Sequence, residues 1–124
     1  MKFLVVDDSA TMRRIVVNSL HRLGYSDILE AEDGRDALER FDTSVQVVIT
    51  DWMMPNMSGT DLTRILRSRD DGRDVPILMI TARGTREDII TALEAGVSSY
   101  VIKPFTPQTL KEKIDQLAAG PVAR

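Results

Sequence analysis

Cysteine is absent from the chain and histidine occurs once. Disulfides, thiolate metal sites and cysteine nucleophiles are excluded by the first absence, and histidine-rich metal sites by the second. The lone histidine, His21, falls on the polar flank of a helical stretch and reads as a surface residue. Basic charge is not in surplus either, since 16 Lys and Arg stand against 19 Asp and Glu, for a net charge of -3 and a pI near 5.1. Such a chain lacks the cationic stripe that phosphate backbones require, so no direct nucleic-acid binding is expected. Long apolar runs are also missing. The run nearest the start, Phe3 to Val6, ends in two aspartates and is too short for a signal-peptide core or a membrane span. A cytoplasmic protein without membrane insertion is the expectation.

What remains is a chain of 124 residues, 43% of them hydrophobic. That suffices for one domain burying roughly two-thirds of its unfolded surface. A single domain over 1–124 is therefore expected, with no output domain and with residues 120–124 as a loose tail. Unbroken apolar runs recur at Phe3–Val6, Val47–Ile49, Ile77–Ile80 and Tyr100–Ile102, with a weaker one at Ile28-Leu29. Runs of this kind are strands covered on both faces.

Between them lie apolar stripes at helical spacing: Met12, Ile15, Val16, Leu20 and Leu23; Ala37, Leu38 and Phe41; Leu62, Ile65 and Leu66; Ile89, Ile90 and Leu93; Leu110, Ile114 and Leu117. Ser9, Asp33, Ser58, Thr85 and Thr106 are placed to cap the helix starts, and Gly24 and Gly96 to end helices. The pattern is a strand and a helix repeated five times, which predicts an α/β fold: a doubly wound, five-stranded parallel sheet with helices on both faces.

In such a sheet the strand carboxyl ends share one edge, and ligands bind there. Asp7 and Asp8 follow the first strand, Asp51 the third, Thr81 the fourth and Lys103 the fifth. Three crowded carboxylates repel one another, and a cation relieves them. With only hard oxygen ligands at hand, the expected ion is magnesium, with manganese able to substitute. Beside that ion one carboxylate can attack phosphorus, because the cation neutralises the phosphoryl oxygens. Asp51 is assigned this role, with Asp7 and Asp8 left to hold the ion; that Asp51 faces them from an inner strand follows from the strand order that the resemblance given below implies. Thr81 and Lys103 are then the groups to bind the remaining phosphoryl oxygens. The bland reading of each residue alone is a turn, a cap or a solvated charge; the convergence on one edge is what favours a site. Trp52, directly after Asp51, reads by itself as a half-exposed loop aromatic, and the six methionines as core filler and loop packing.

Several stretches match one family: Phe3-Leu4-Val5-Val6-Asp7-Asp8, Thr11-Met12-Arg13-Arg14-Ile15-Val16, Glu30-Ala31-Glu32-Asp33-Gly34, Asp51-Trp52, Met54-Pro55-Asn56-Met57, Thr81-Ala82 and Lys103-Pro104-Phe105-Thr106. The chain resembles, over nearly its whole length, the receiver domain of bacterial response regulators, the chemotaxis regulators above all. The resemblance implies the flavodoxin-like strand order 2-1-3-4-5. It implies that Asp51 accepts a phosphoryl group from a phosphohistidine on a sensor histidine kinase. Asp7, Asp8, Asp51 and the backbone carbonyl of Met53 would bind magnesium. Thr81 would move toward the phosphoryl group and Tyr100 turn inward behind it, while Lys103, joined to Pro104 by an expected cis bond, would contact the group directly.

Output is then expected from helix 4, strand 5 and helix 5 docking onto a flagellar motor switch protein, from a monomer, with a phosphatase as a further partner. Met53 and Arg83 depart from the closest pattern, where an asparagine and an acidic residue stand. Both flank the route of an attacking water, so the aspartyl-phosphate lifetime is expected to differ. The competing expectations are a stand-alone receiver in another phosphorelay and an aspartate-nucleophile phosphatase. The latter places its aspartates as Asp-x-Asp and carries a cap, whereas this pair is adjacent and leaves no residues for one.

Overall fold

Phe3, Leu4, Val5 and Val6 are each at most 1% exposed, which requires a strand covered on both faces. In the computed structural model of the chain, which describes residues 1–118, this segment forms β1 (Lys2–Val6). The elements that follow are α1 (Ala10–Arg22), β2 (Asp27–Ala31), α2 (Gly34–Arg40), β3 (Val47–Asp51), α3 (Gly59–Ser68), β4 (Ile77–Thr81), α4 (Arg86–Ala95), β5 (Ser99–Ile102) and α5 (Pro107–Ala118). The strands form one parallel sheet in the order β2-β1-β3-β4-β5, as expected. The expected tail at 120–124 lies outside the described residues.

The strand pleat separates two cores. Leu4, Val6 and Val48 point to the layer of Ala37, Leu62, Leu66 and Ala92, on α2, α3 and α4. Phe3, Val5, Val47 and Ile49 point the other way, to Val16, Val17 and Leu20 of α1 and to Leu110 and Ile114 of α5. All five expected caps form. The hydroxyls of Ser9, Ser58 and Thr85 and the carboxylate of Asp33 accept amides at the first turns of α1, α3, α4 and α2. Thr106 accepts the Thr109 amide at 3.1 Å. Gly24 and Gly96 have φ of 96° and 111° just beyond α1 and α4, a conformation costly for any residue with a Cβ.

Three expectations need correction. The run Tyr100–Ile102 is not covered on both faces, since β5 lies at the edge of the sheet and Ile102 is 45% exposed. The apolar stripe of α4 does not face the sheet: Ile90 and Leu93 are 44% and 49% exposed, and the helix buries Ala92 and Ala95 instead. Trp52 is 5% exposed rather than half-exposed. It belongs to the core under α2, α3 and α4 and meets the Tyr100 ring edge-on, with centroids 6.5 Å apart.

Candidate functional site

The parallel register brings the predicted residues to one edge. Val6 pairs with Ala31 on one side and Thr50 on the other, so Asp7 and Asp51 leave adjacent strand ends. The Asp7 amide continues the ladder to the Ala31 carbonyl at 3.1 Å. Carboxylate oxygens of Asp7, Asp8 and Asp51 lie within 4.8 Å of one another. Asp7 is buried, Asp8 exposed and Asp51 intermediate. Burial, joined by the charges of Asp51 and Asp8, pushes the Asp7 carboxyl above its ordinary value, although the Ser9 amide at 2.9 Å and the Lys103 charge act to lower it. This donor set fits a metal ion: hard oxygens only, crowded, and with an electrostatic debt that a cation cancels.

Asp51 ends β3, and two contacts hold its Oδ1. The Trp52 amide donates to it at 2.8 Å, and the Lys103 ammonium lies 3.4 Å away. Lys103 follows β5, and its amide donates to the Thr81 carbonyl at 2.8 Å. The Lys103-Pro104 bond is cis, as the resemblance implied. Thr81 closes β4 with 1% exposure, and its hydroxyl accepts the Arg83 amide at 3.1 Å. Tyr100 is half-buried and donates its hydroxyl to the Arg83 carbonyl. Among the described residues no backbone amide donates to the Met53 carbonyl. The Met53 side chain is 61% exposed.

Two supporting residues, Arg13 and Gly59, were given no role by sequence, and a third, Arg83, was singled out there without its partners. Arg13, on α1, donates from Nη1 to the Asp7 carbonyl at 2.6 Å and pairs through Nε with Glu30 at 3.1 Å, pinning the backbone that carries the acidic pair. Gly59, at the start of α3, donates its amide to the Trp52 carbonyl at 2.7 Å, and a Cβ there would collide with the Asp51 carbonyl oxygen. Arg83 lies with its guanidinium 4.4 Å over the Trp52 ring. Arg13 and Gly59 act through backbone atoms, which leave no mark in a side-chain pattern. Arg83 had a signal, its departure from the acidic residue expected at that position, but not its partners.

Comparison with known proteins gives the family. The response regulator receiver domain profile covers residues 3–115. The chain belongs to the response regulator receiver family. It is 56% identical over 117 residues to chemotaxis protein CheY1 of Helicobacter pylori, covering 93% of this chain and 94% of that protein. It is 51% identical over 119 residues to the CheY homolog of Campylobacter jejuni, covering 94% and 92%. The solved chemotaxis response regulator CheY4 of Vibrio cholerae is 32% identical, with a TM-score of 0.84 over 94% of this chain and 97% of that one. The receiver domain of a Pseudomonas aeruginosa sensor histidine kinase, solved with a magnesium ion coordinated in its active site cleft, is 27% identical, with a TM-score of 0.84 over 96% and 98%. In this receiver the acidic cluster lies at the carboxyl ends of β1 and β3. Among the described residues no helix is long and apolar enough to cross a membrane.

Proposed function

We propose that this receiver accepts a phosphoryl group on Asp51 from a phosphohistidine of a sensor histidine kinase and signals by a change in what its surface binds, in chemotaxis. The observation that carries the reading is the meeting of Asp7, Asp8 and Asp51 within 4.8 Å, with Lys103 on Asp51 at 3.4 Å. Asp7, Asp8, Asp51 and the Met53 carbonyl would hold magnesium, or manganese in its place. When bound, that ion supplies charge neutralisation on the phosphoryl oxygens, which lets a carboxylate approach phosphorus.

The chain's own residues do the rest. Both contacts of Asp51 use Oδ1, so Oδ2 is the attacking oxygen. The new bond joins Oδ2 to phosphorus as the bond from phosphorus to the donor imidazole nitrogen breaks, its electron pair returning to that nitrogen. Lys103 exchanges its contact with Asp51 for one with a phosphoryl oxygen. The Thr81 hydroxyl releases the Arg83 amide to bind another, and the loop shift takes the Arg83 carbonyl away from the Tyr100 hydroxyl, so that Tyr100 turns inward.

The response is read at α4, β5 and α5, where Ile90, Leu93 and Ile102 stand exposed. Two relatives named as chemotaxis proteins, at 51% and 56% identity, support a flagellar motor switch protein as the partner. The receiver acts in the cytoplasm as a monomer, catalysing only its own phosphotransfer and slow dephosphorylation, with Met53 and Arg83 beside the route of water and a phosphatase as a further partner.

Incubation with acetyl phosphate and magnesium should add one phosphoryl group to the intact mass, and Asp51→Ala should abolish the gain. An unmodified wild type, or a modified Asp51→Ala, would overturn the assignment. Pull-down of a motor switch protein with and without phosphorylation separates chemotaxis from another phosphorelay.

A further inference from the structure

The backbone of Arg83 belongs to the Thr81 and Tyr100 pathway already described; its side chain makes a separate set of contacts. The guanidinium lies 4.4 Å over the Trp52 ring, Nη1 is 3.6 Å from Met53 Sδ, and Nη2 is 2.8 Å from Asp88 Oδ1. Trp52 and Met53 directly follow the nucleophile, and Asp88 sits in the first turn of α4. One side chain therefore spans the loop after β3 and the start of α4.

The chemistry of the span is particular to arginine. A planar guanidinium stacks its face on an indole while an edge N–H reaches a carboxylate. The Trp52 ring is a fixed platform, being 5% exposed in the core. The first turn of α4 buries no side chain, the helix burying Ala92 and Ala95 further on, and it is held by the Thr85 hydroxyl on the Asp88 amide at 3.1 Å and by Arg83. At the other end of the chain of contacts, the Trp52 amide donates to Asp51 Oδ1 at 2.8 Å. A ligand that draws on the Asp51 carboxylate therefore pulls on the residue that carries the guanidinium's platform.

We propose that Arg83 is a positioning residue that couples the acidic site to the first turn of α4 through Trp52 and Asp88, in parallel with Thr81 and Tyr100. The proposal rests on the reading of the cluster as a metal site. Coupling between binding free energies is reciprocal, so a partner that moves α4 is also felt at the cluster.

Amide chemical shifts during a magnesium titration test it, in wild type, Arg83→Lys and Asp88→Asn. In wild type, amides of Asp7, Asp8 and Asp51 should shift together with those of Glu87, Asp88 and Ile89 and with the Trp52 indole. In both variants the acidic-site shifts should persist, with magnesium affinity changed by about fivefold, the low end of typical couplings, while the α4 shifts shrink severalfold. Arg83→Lys keeps the charge, so its effect cannot come from altered repulsion of the ion, and a merely structural loss would not separate the two groups of shifts. Full-sized α4 shifts in both variants, or none in wild type beside a responding acidic site, would overturn the coupling alone. No shift at Asp7, Asp8 and Asp51 in wild type would overturn the metal site and the coupling with it.

Discussion

Each end of the sheet holds a partly buried cation, and the two are used in opposite ways. At the amino end Arg67 donates to the carbonyls of Gly96 at 3.0 Å, Gly72 at 3.0 Å and Val75 at 2.6 Å, and to Ser98 Oγ at 3.2 Å. It ties α3 to the turns leading into β4 and β5, and burial holds its guanidinium below the ordinary value without removing its charge. At the carboxyl end Lys103 has one long contact, to a carboxylate that already repels two others. One end is saturated with neutral acceptors; the other carries unbalanced negative charge. A saturated network stabilises the fold, whereas an unbalanced one costs stability until a ligand arrives, which is how a binding site differs from a staple.

The largest effect expected is at the saturated end. Arg67→Met should lower unfolding stability by about 3 kcal/mol, since several half-buried carbonyls lose their donor at once. Denaturant unfolding measures it. Magnesium affinity should stay at the wild-type value, and a large change there would break the division between the two ends.

Asp7→Asn comes next. Loss of one charged ligand should weaken magnesium binding by roughly tenfold or more, read by calorimetry. The metal-free variant should instead be more stable than wild type at neutral pH. Because the folded Asp7 carboxyl is raised above its unfolded value of 3.8, its contribution is fully present below that pH and is lost as pH rises through the folded value. Metal-free wild type should therefore lose stability on going from acid toward neutral, magnesium should restore it, and Asp7→Asn should flatten the limb. A wild-type protein that gains stability over that range would contradict the electrostatic debt at this end.

Lys103→Met should change metal-free stability by no more than about 1 kcal/mol, because its single ion pair is long and partly exposed. Set beside Arg67→Met, it tests whether equal charges at the two ends differ in role. Tyr100 reports on the same end, and its pKa is raised by burial and then by Asp88, against the opposing pull of Arg83. Tyr100→Ala should leave phosphorylation intact and weaken binding of the phosphorylated protein to its target by roughly thirtyfold, as expected for an aromatic anchor. Target binding at wild-type strength would remove Tyr100 from the readout.

The order and type of the elements were determined by the sequence, because apolar runs, helical stripes and caps are local signals in which each residue votes on its own segment. The acidic edge was also legible: strand ends are where short apolar runs stop, and Asp7, Asp8, Asp51, Thr81 and Lys103 each stand at such a stop. Tertiary structure alone decided which face of α4 meets the sheet, where Ala92 and Ala95 displaced the larger Ile90 and Leu93. It likewise decided that Trp52 is buried and that Arg13, Arg67 and Arg83 find their particular partners. The reason is physical. A helix turns to the face that packs closest, and an arginine reaching a distant carbonyl or ring answers to geometry set by the whole chain, which no local pattern of side chains records.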